Sequence, residues 1–208
     1  MIRKVSWKSL VVVISFMVLV MIILAVIISV KTKEIKGYQH YISSHLITNI
    51  SELVTRVSNS DLSLNEAITN RSLSVYEANF LSSNLLEISH EVNALNKLAQ
   101  DIKNEDPNHL ISSAAVEHHM FINKQIIHQP IYELNLLQND AILELKDKDI
   151  EELKLIQKDI SSWKEVIYKA LGISAAPLPE QYIQEHSRDF ITKKDWFNLY
   201  TELQNYTS

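Results

Sequence analysis

The stretch Ala78–Ile102, ANFLSSNLLEISHEVNALNKLAQDI, decides the fold class of this chain. Its apolar residues Ala78, Leu81, Leu85, Ile88, Val92, Leu95, Ala99 and Ile102 alternate at three and four positions without a break. A half-buried strand would set its apolar side chains two apart. A three-four alternation lines one face of an α-helix, and over about four heptads it makes an a/d seam that another helix must cover.

The same period runs outward in both directions, and no stretch keeps a period of two. Only two glycines, Gly37 and Gly172, and four prolines occur in 208 residues, so tight hairpins and glycine-rich phosphate loops lack raw material. The expectation is an all-α protein. The roughly 170 residues after the N-terminal region are enough to bury one core.

Capping chemistry divides the chain. The first helix is expected to run to about Asn59, with Ile35, Tyr38, Ile42, Leu46, Ile50, Leu53 and Val57 on one face. Ser63 with Glu66 has capping-box spacing. A helix from Ser63 to Asn104 would be roughly 60 Å long, against roughly 40 Å for the outer part of the first helix. Leu64–Asn70 is therefore expected to be a separate cap, with the long return helix starting near Ser72 or Ser74. Asp106-Pro107 predicts the start of a third helix, reaching about Asp147 and presenting Ile111, Ala115, His118, Ile122, Tyr132 and Leu136, with a kink at Pro130. Asp149 with Glu152 suggests another capping box, opening a fourth helix over Ile150–Leu171, and Gly172 is placed to end it. Four amphipathic helices on short connections predict an antiparallel four-helix bundle over residues 31–171. Residues 172–208 read as a linker plus two short helices, about Pro179–His186 and Lys193–Gln204, docked on the bundle. Tyr182, Phe190, Trp196, Phe197, Tyr200 and Tyr206 make this tail rich in aromatics.

Before all of this stands Leu10–Val30, LVVVISFMVLVMIILAVIISV, with no charge in 21 residues. It is about 31 Å long at ~1.5 Å per residue, matching the ~30 Å hydrocarbon core of a bilayer. Sixteen of its residues are Leu, Ile, Val or Phe, an insertion preference on the order of −5 to −10 kcal/mol. A cleaved signal peptide would have a shorter apolar region of ~7 to 15 residues ending in a small-x-small site, whereas Ala25 is followed by Val26, Ile27 and Ile28. The reading is an uncleaved single-pass anchor. Arg3, Lys4 and Lys8 on one side balance Lys31, Lys33 and Lys36 on the other. The acidic excess after Gly37 breaks the tie, placing residues 1–9 as a short cytoplasmic tail and the rest outside the cytoplasm. The absence of cysteine excludes disulfides and thiolate chemistry and fits a bacterial envelope protein.

Motifs for chemistry are sparse. Glu87 and His90 have di-iron spacing, but with Ile88 in the seam both face solvent, and no second such pair exists. His90-Glu91 begins a zincin-like string that Ala94 breaks. Glu117, His118, His119 and His128 cluster on the third helix with Gln125 between them. His118, Gln125 and His128 are the candidate ligand- or pH-sensing residues, against the alternative that His118 is a satisfied core histidine. Trp196, Phe197 and Tyr200 are the candidate partner-binding residues, against the alternative that they dock on the bundle. Ala25 and Ser29 form a small-xxx-small pair in the apolar run. The sequons at Asn49, Asn70 and Asn205 would matter only in a eukaryote. No basic patch with interleaved aromatics appears outside the flanks of the apolar run, which argues against nucleic acid as a partner.

The expectation is a non-enzymatic envelope protein, without catalytic residues, metal or cofactor, that binds another protein or itself. The alternative is a ligand- or pH-sensing bundle signalling through a partner. In layout, a helix running from the membrane into a bundle resembles the extracytoplasmic sensing domains of bacterial chemoreceptors and histidine kinases, although no second membrane segment or output domain is seen.

Overall fold

The computed structural model describes residues 7–104, 106–128 and 141–206. Six α-helices and one two-stranded sheet are formed among them, and the first helix is long and apolar at its N-terminal end.

Helix α1 spans Trp7–Asn70 without interruption, roughly 95 Å at ~1.5 Å per residue. The expected cap at Leu64–Asn70 is corrected: these residues continue α1. The reason is burial. Leu64 is fully buried and Ala67 nearly so, extending the row of Ile50, Leu53 and Val57, and that packing outweighs the capping propensity of Ser63. The helix ends at Asn70, and the next residue, Arg71, turns the chain with a left-handed φ of 54°.

Strand β1 (Ser72–Ser74) follows, and Ser74 then caps α2 (Val75–Lys103). The Glu77 amide donates to Ser74 Oγ at 3.1 Å, and the Ser74 amide donates to Glu77 Oε2 at 2.6 Å. This is a complete capping box, so the start of the return helix agrees with the sequence expectation.

Helix α3 (Leu110–Phe121) starts later than Asp106-Pro107 indicated, with Asn108 Oδ1 accepting from the Leu110 amide at 3.0 Å. It passes into a π-helical segment, Ile122–His128. The expected continuous helix to Asp147 is corrected too, since Ile142–Glu144 form strand β2 and Asp147 opens the next helix. Pro130, Tyr132 and Leu136 lie outside the described residues. Strands β1 and β2 pair antiparallel, with Leu73 opposite Leu143, both buried. Three residues per strand are too few to announce a period of two. Arg71 forms an ion pair with Asp147 beside this sheet.

Helix α4 (Asp147–Leu171) is capped one turn earlier than expected: Asp149 Oδ2 accepts from the Lys146 amide at 3.1 Å, so Asp149 sits inside the first turn instead of before it. Gly172 ends the helix with φ 66°, and the Ile173 amide donates back to Tyr168 O. The tail forms α5 (Glu180–His186), a 3₁₀ turn (Phe190–Thr192) and α6 (Asp195–Gln204).

Helix α2 packs between α1 and α3 with its π-helical extension. Helix α4 covers another side of α1, α6 lies on α4, and α5 with the 3₁₀ turn lies on α1. Trp163, Trp196, Tyr200 and Phe190 are the largest buried side chains of the core. Residues 11–38 of α1 are exposed throughout.

Candidate functional site

The polar side chains that the helices bring together lie where α3, α4 and the tail meet. His118 is on the inner side of α3, and its Nε2 donates to Asp159 Oδ2 of α4 at 3.0 Å. The side chains are 16% and 28% exposed. The imidazole also stacks on Trp163, with ring centres 5.9 Å apart. Tyr206 of the tail lies beside the same carboxylate. Burial, and then the nearby Asp159 carboxylate, push the Tyr206 hydroxyl above its usual pKa. One carboxylate therefore ties together three segments of the chain.

His119 faces the other way, toward α2. Its Nδ1 is 2.9 Å from both Ser82 Oγ and Ser82 O. A carbonyl oxygen can only accept, so Nδ1 carries the proton and cannot take one from the serine hydroxyl. A Ser–His pair in this arrangement holds helices together and does not activate a nucleophile.

Gln125 and His128 are exposed and do not join His118. The i→i+5 bonding of the π-helical segment widens the turn, so seven residues after His118 no longer return to its face. Of the three candidate sensing residues, only His118 has a buried partner.

The candidate partner-binding residues are spent largely on the interior. Trp196 and Tyr200 are each 2% exposed, and Trp196 Nε1 donates to Ile191 O at 3.0 Å. Phe197 is half-buried, edge-on to Trp196 and stacked on Tyr200, both at 5.8 Å.

The tail has polar fastenings that the sequence reading missed. The Ile191 amide donates to Ser43 Oγ of α1 at 3.0 Å. Gln204 donates through Nε2 to Asn96 Oδ1 at 2.9 Å, and Asn108 Nδ2 donates to Gln204 O at 3.0 Å. His186 stacks on Tyr182 at 4.0 Å, donates from Nδ1 to Tyr182 O at 2.7 Å, and places Nε2 3.5 Å from Asp195 Oδ2. Burial, with the Asp195 charge adding to it, pushes the Tyr182 hydroxyl up to about 12. The i, i+4 spacing of Tyr182 and His186 was the available sequence signal.

A second polar group lies between α1 and α2. Arg56 Nη1 donates to Asn84 Oδ1 at 3.4 Å, and Nη2 is 3.6 Å from Glu52. Glu91 stands close by, its carboxyl raised above the usual range by burial first and by Glu52 and Glu87, against the opposing pull of Arg56 and His45. Among the described residues, no group of three or more His, Cys, Asp or Glu side chains is placed to hold a metal ion.

Comparison with protein-family models, curated proteins and solved structures gives no match, so a functional reading rests on this chain's own residues.

Proposed function

We propose that the chain is a single-pass membrane protein in which Leu10–Val30 crosses the cell membrane, residues 1–9 are cytoplasmic, and an antiparallel helical bundle stands outside, acting by protein–protein contact in the cell envelope. The observation that supports it is the construction of α1. Residues Val11–Val30 have no cover from the other described residues, while Leu46, Ile50, Leu53 and Val57 of the same unbroken helix are core. An apolar surface of that length is stable in hydrocarbon and costly in water. The use of Ser82, His119, Asn96 and Gln204 in helix-to-helix hydrogen bonds favours a packing and interaction role over catalysis.

Alkaline extraction of membranes tests the anchor, and release of the chain into the supernatant refutes it. Protease added to intact spheroplasts tests the orientation: digestion of the body is expected, and protection until lysis refutes it. A photo-crosslinking residue at exposed Tyr76 or Leu155 is expected to give a discrete adduct with another envelope protein or a second copy.

The alternative of a ligand- or pH-sensing bundle is supported by one contact, His118 with Asp159. The contact joins α3 to α4 beside Trp163, so a change at the imidazole acts on the packing between these helices. Under this reading, the protection of amides in residues 195–204, corrected for the intrinsic pH dependence of exchange, changes with pH in the wild type and is constant in His118→Asn. Equal profiles remove the reading.

A further inference from the structure

Two glycines stand in this chain, and the local geometry accounts for one of them. Gly172 ends α4 with a φ of 66°, a left-handed conformation that other residues rarely adopt. Gly37 lies inside α1 and is not among the residues of positive φ. A methyl group added to its Cα would meet nothing within 4 Å. Neither a turn nor a close approach of another described segment therefore asks for glycine there. What glycine does at such a position is weaken the helix, because it gains the most backbone freedom on opening and leaves its peptide groups open to water.

The place of Gly37 along α1 gives that weakness a use. Residues 11–38 are exposed, Gln39 is the first half-buried residue above them, and Ser43 is the first buried one, its Oγ accepting from the Ile191 amide at 3.0 Å. At ~1.5 Å per residue Gly37 lies about 10 Å beyond Val30, past a headgroup layer of roughly 5–7 Å, and about 9 Å below Ser43. It sits in water, at a level where neither the bilayer nor the body supports the helix. Side chains add little. Lys31 pairs with Glu34 at 2.7 Å, but both are exposed, and such i, i+3 pairs are weak. Thr32 Oγ1 donates back to Ile28 O at 2.8 Å, a contact that slightly destabilises and bends helices. Opening at Gly37 breaks about one turn of backbone hydrogen bonds and no core contact, since every buried or half-buried side chain described for α1 lies above it.

We infer that Gly37 is a hinge about which the body leans over the membrane as one unit. The inference rests on the membrane anchor proposed above, which holds the lower arm. The straight helix is the ground state. A break within a helix has to be nucleated, at a statistical weight on the order of 10⁻³, so the leaning state is a minor one that a binding event can select. A lean of about 45° lowers a point ~10 Å off the α1 axis, at the level of Ser43, by roughly 10 Å. The 3₁₀ turn Phe190–Thr192 is fixed at that level by the Ile191–Ser43 hydrogen bond, and Thr192 is exposed. Leaning therefore carries Thr192 from roughly 13 Å above the headgroups to within a few Å of them.

The chain has no cysteine, so Thr192→Cys places a single reporter on the full chain in liposomes. A short-linker maleimide on a phospholipid headgroup reaches this cysteine only when the body leans, whereas a soluble maleimide reaches it in either state. Gly37→Ala is expected to slow labelling by the lipid reagent about four- to fivefold and to leave labelling by the soluble one unchanged. That factor is the ~0.8–1.0 kcal/mol between glycine and alanine in a helix, at about 1.4 kcal/mol per tenfold. In amide exchange, protection of residues 37–41 is expected to rise by the same factor, with residues 46–67 unchanged. Lys33→Ala, a change between two good helix formers in the same stretch, is expected to alter either rate less than about twofold. The hinge is overturned if the lipid reagent does not label the wild-type background, if Gly37→Ala leaves that labelling or the protection of residues 37–41 unchanged, or if Lys33→Ala has an equal effect. Co-flotation with the liposomes separates the causes. A chain that floats and fails these tests defeats the hinge alone, whereas a chain that does not float defeats the anchor and the hinge with it.

Discussion

Ser63 and Ser74 each stand three residues before a glutamate, and the structure gives them opposite roles, so the substitutions Ser63→Ala and Ser74→Ala should differ in sign. Ser74 satisfies the Glu77 amide at the start of α2, while the Glu77 carboxylate satisfies the Ser74 amide. Removing the hydroxyl leaves a helix-end donor without its acceptor, and loss of an N-cap side chain costs about 0.5–2 kcal/mol. In a chain of this size about 1 kcal/mol lowers Tm by roughly 2–4 °C. Ser63 lies inside α1, where alanine is the better helix former by up to ~0.7 kcal/mol, so Ser63→Ala should leave Tm unchanged or raise it slightly. The assay is thermal unfolding of the full chain in detergent, followed by helical circular dichroism and by fluorescence of the core tryptophans. Urea unfolding serves as a second measure, with the slope checked for constancy. If Ser63→Ala is destabilising by as much as Ser74→Ala, a helix starts at Ser63, and the account of α1 as one element through Asn70 is wrong.

Three further outcomes follow from burial and charge. Trp163→Ala removes a fully buried ring that stacks on His118 and should cost about 3–5 kcal/mol, visible as a large fall in the urea midpoint; Phe197→Ala, at a half-buried position, should cost clearly less. Burial holds the Glu91 carboxyl above its ordinary range, so the folded chain binds its proton more tightly than the unfolded chain. The stability from this group is complete below the ordinary carboxylate range and is lost as pH rises through the raised value. Glu91→Gln should therefore raise the melting temperature at neutral pH and flatten its dependence on pH above the acid range, whereas a lower neutral melting temperature would show that pairing with Arg56 dominates. Tyr182, pushed up to about 12 by burial, keeps its proton in the fold. Its contribution is lost as pH rises from the ordinary tyrosine value of ~10 through the raised one, and Tyr182→Phe should reduce the loss of stability in that alkaline range.

The helical class, the apolar run, the start of α2 at Ser74 and the end of α4 at Gly172 were all legible in the sequence. Each depends on side chains within a turn or two of one another, or on a period that any helix imposes. The extension of α1 through Leu64 and Ala67 was not legible, because a capping box at Ser63 is a local preference of about one kcal/mol and burial of two more apolar side chains against distant segments exceeds it. The β1–β2 pair was hidden for a related reason: its partners are some 70 residues apart, and each strand is too short to show a period. The candidate site divides in the same way. His118 could be picked out as a polar residue on an apolar face, but its partner Asp159 lies on another helix, and only packing brings them within 3.0 Å. Trp196 and Tyr200 looked alike as binding or core residues, since helical spacing says that a face is apolar without saying what covers it. Ile35 and Tyr38, both exposed, show the same limit in reverse. The period was in the sequence, and the tertiary structure decided that the other described residues do not cover them, because α2, α4 and the tail reach down α1 only as far as Ser43 and its neighbours.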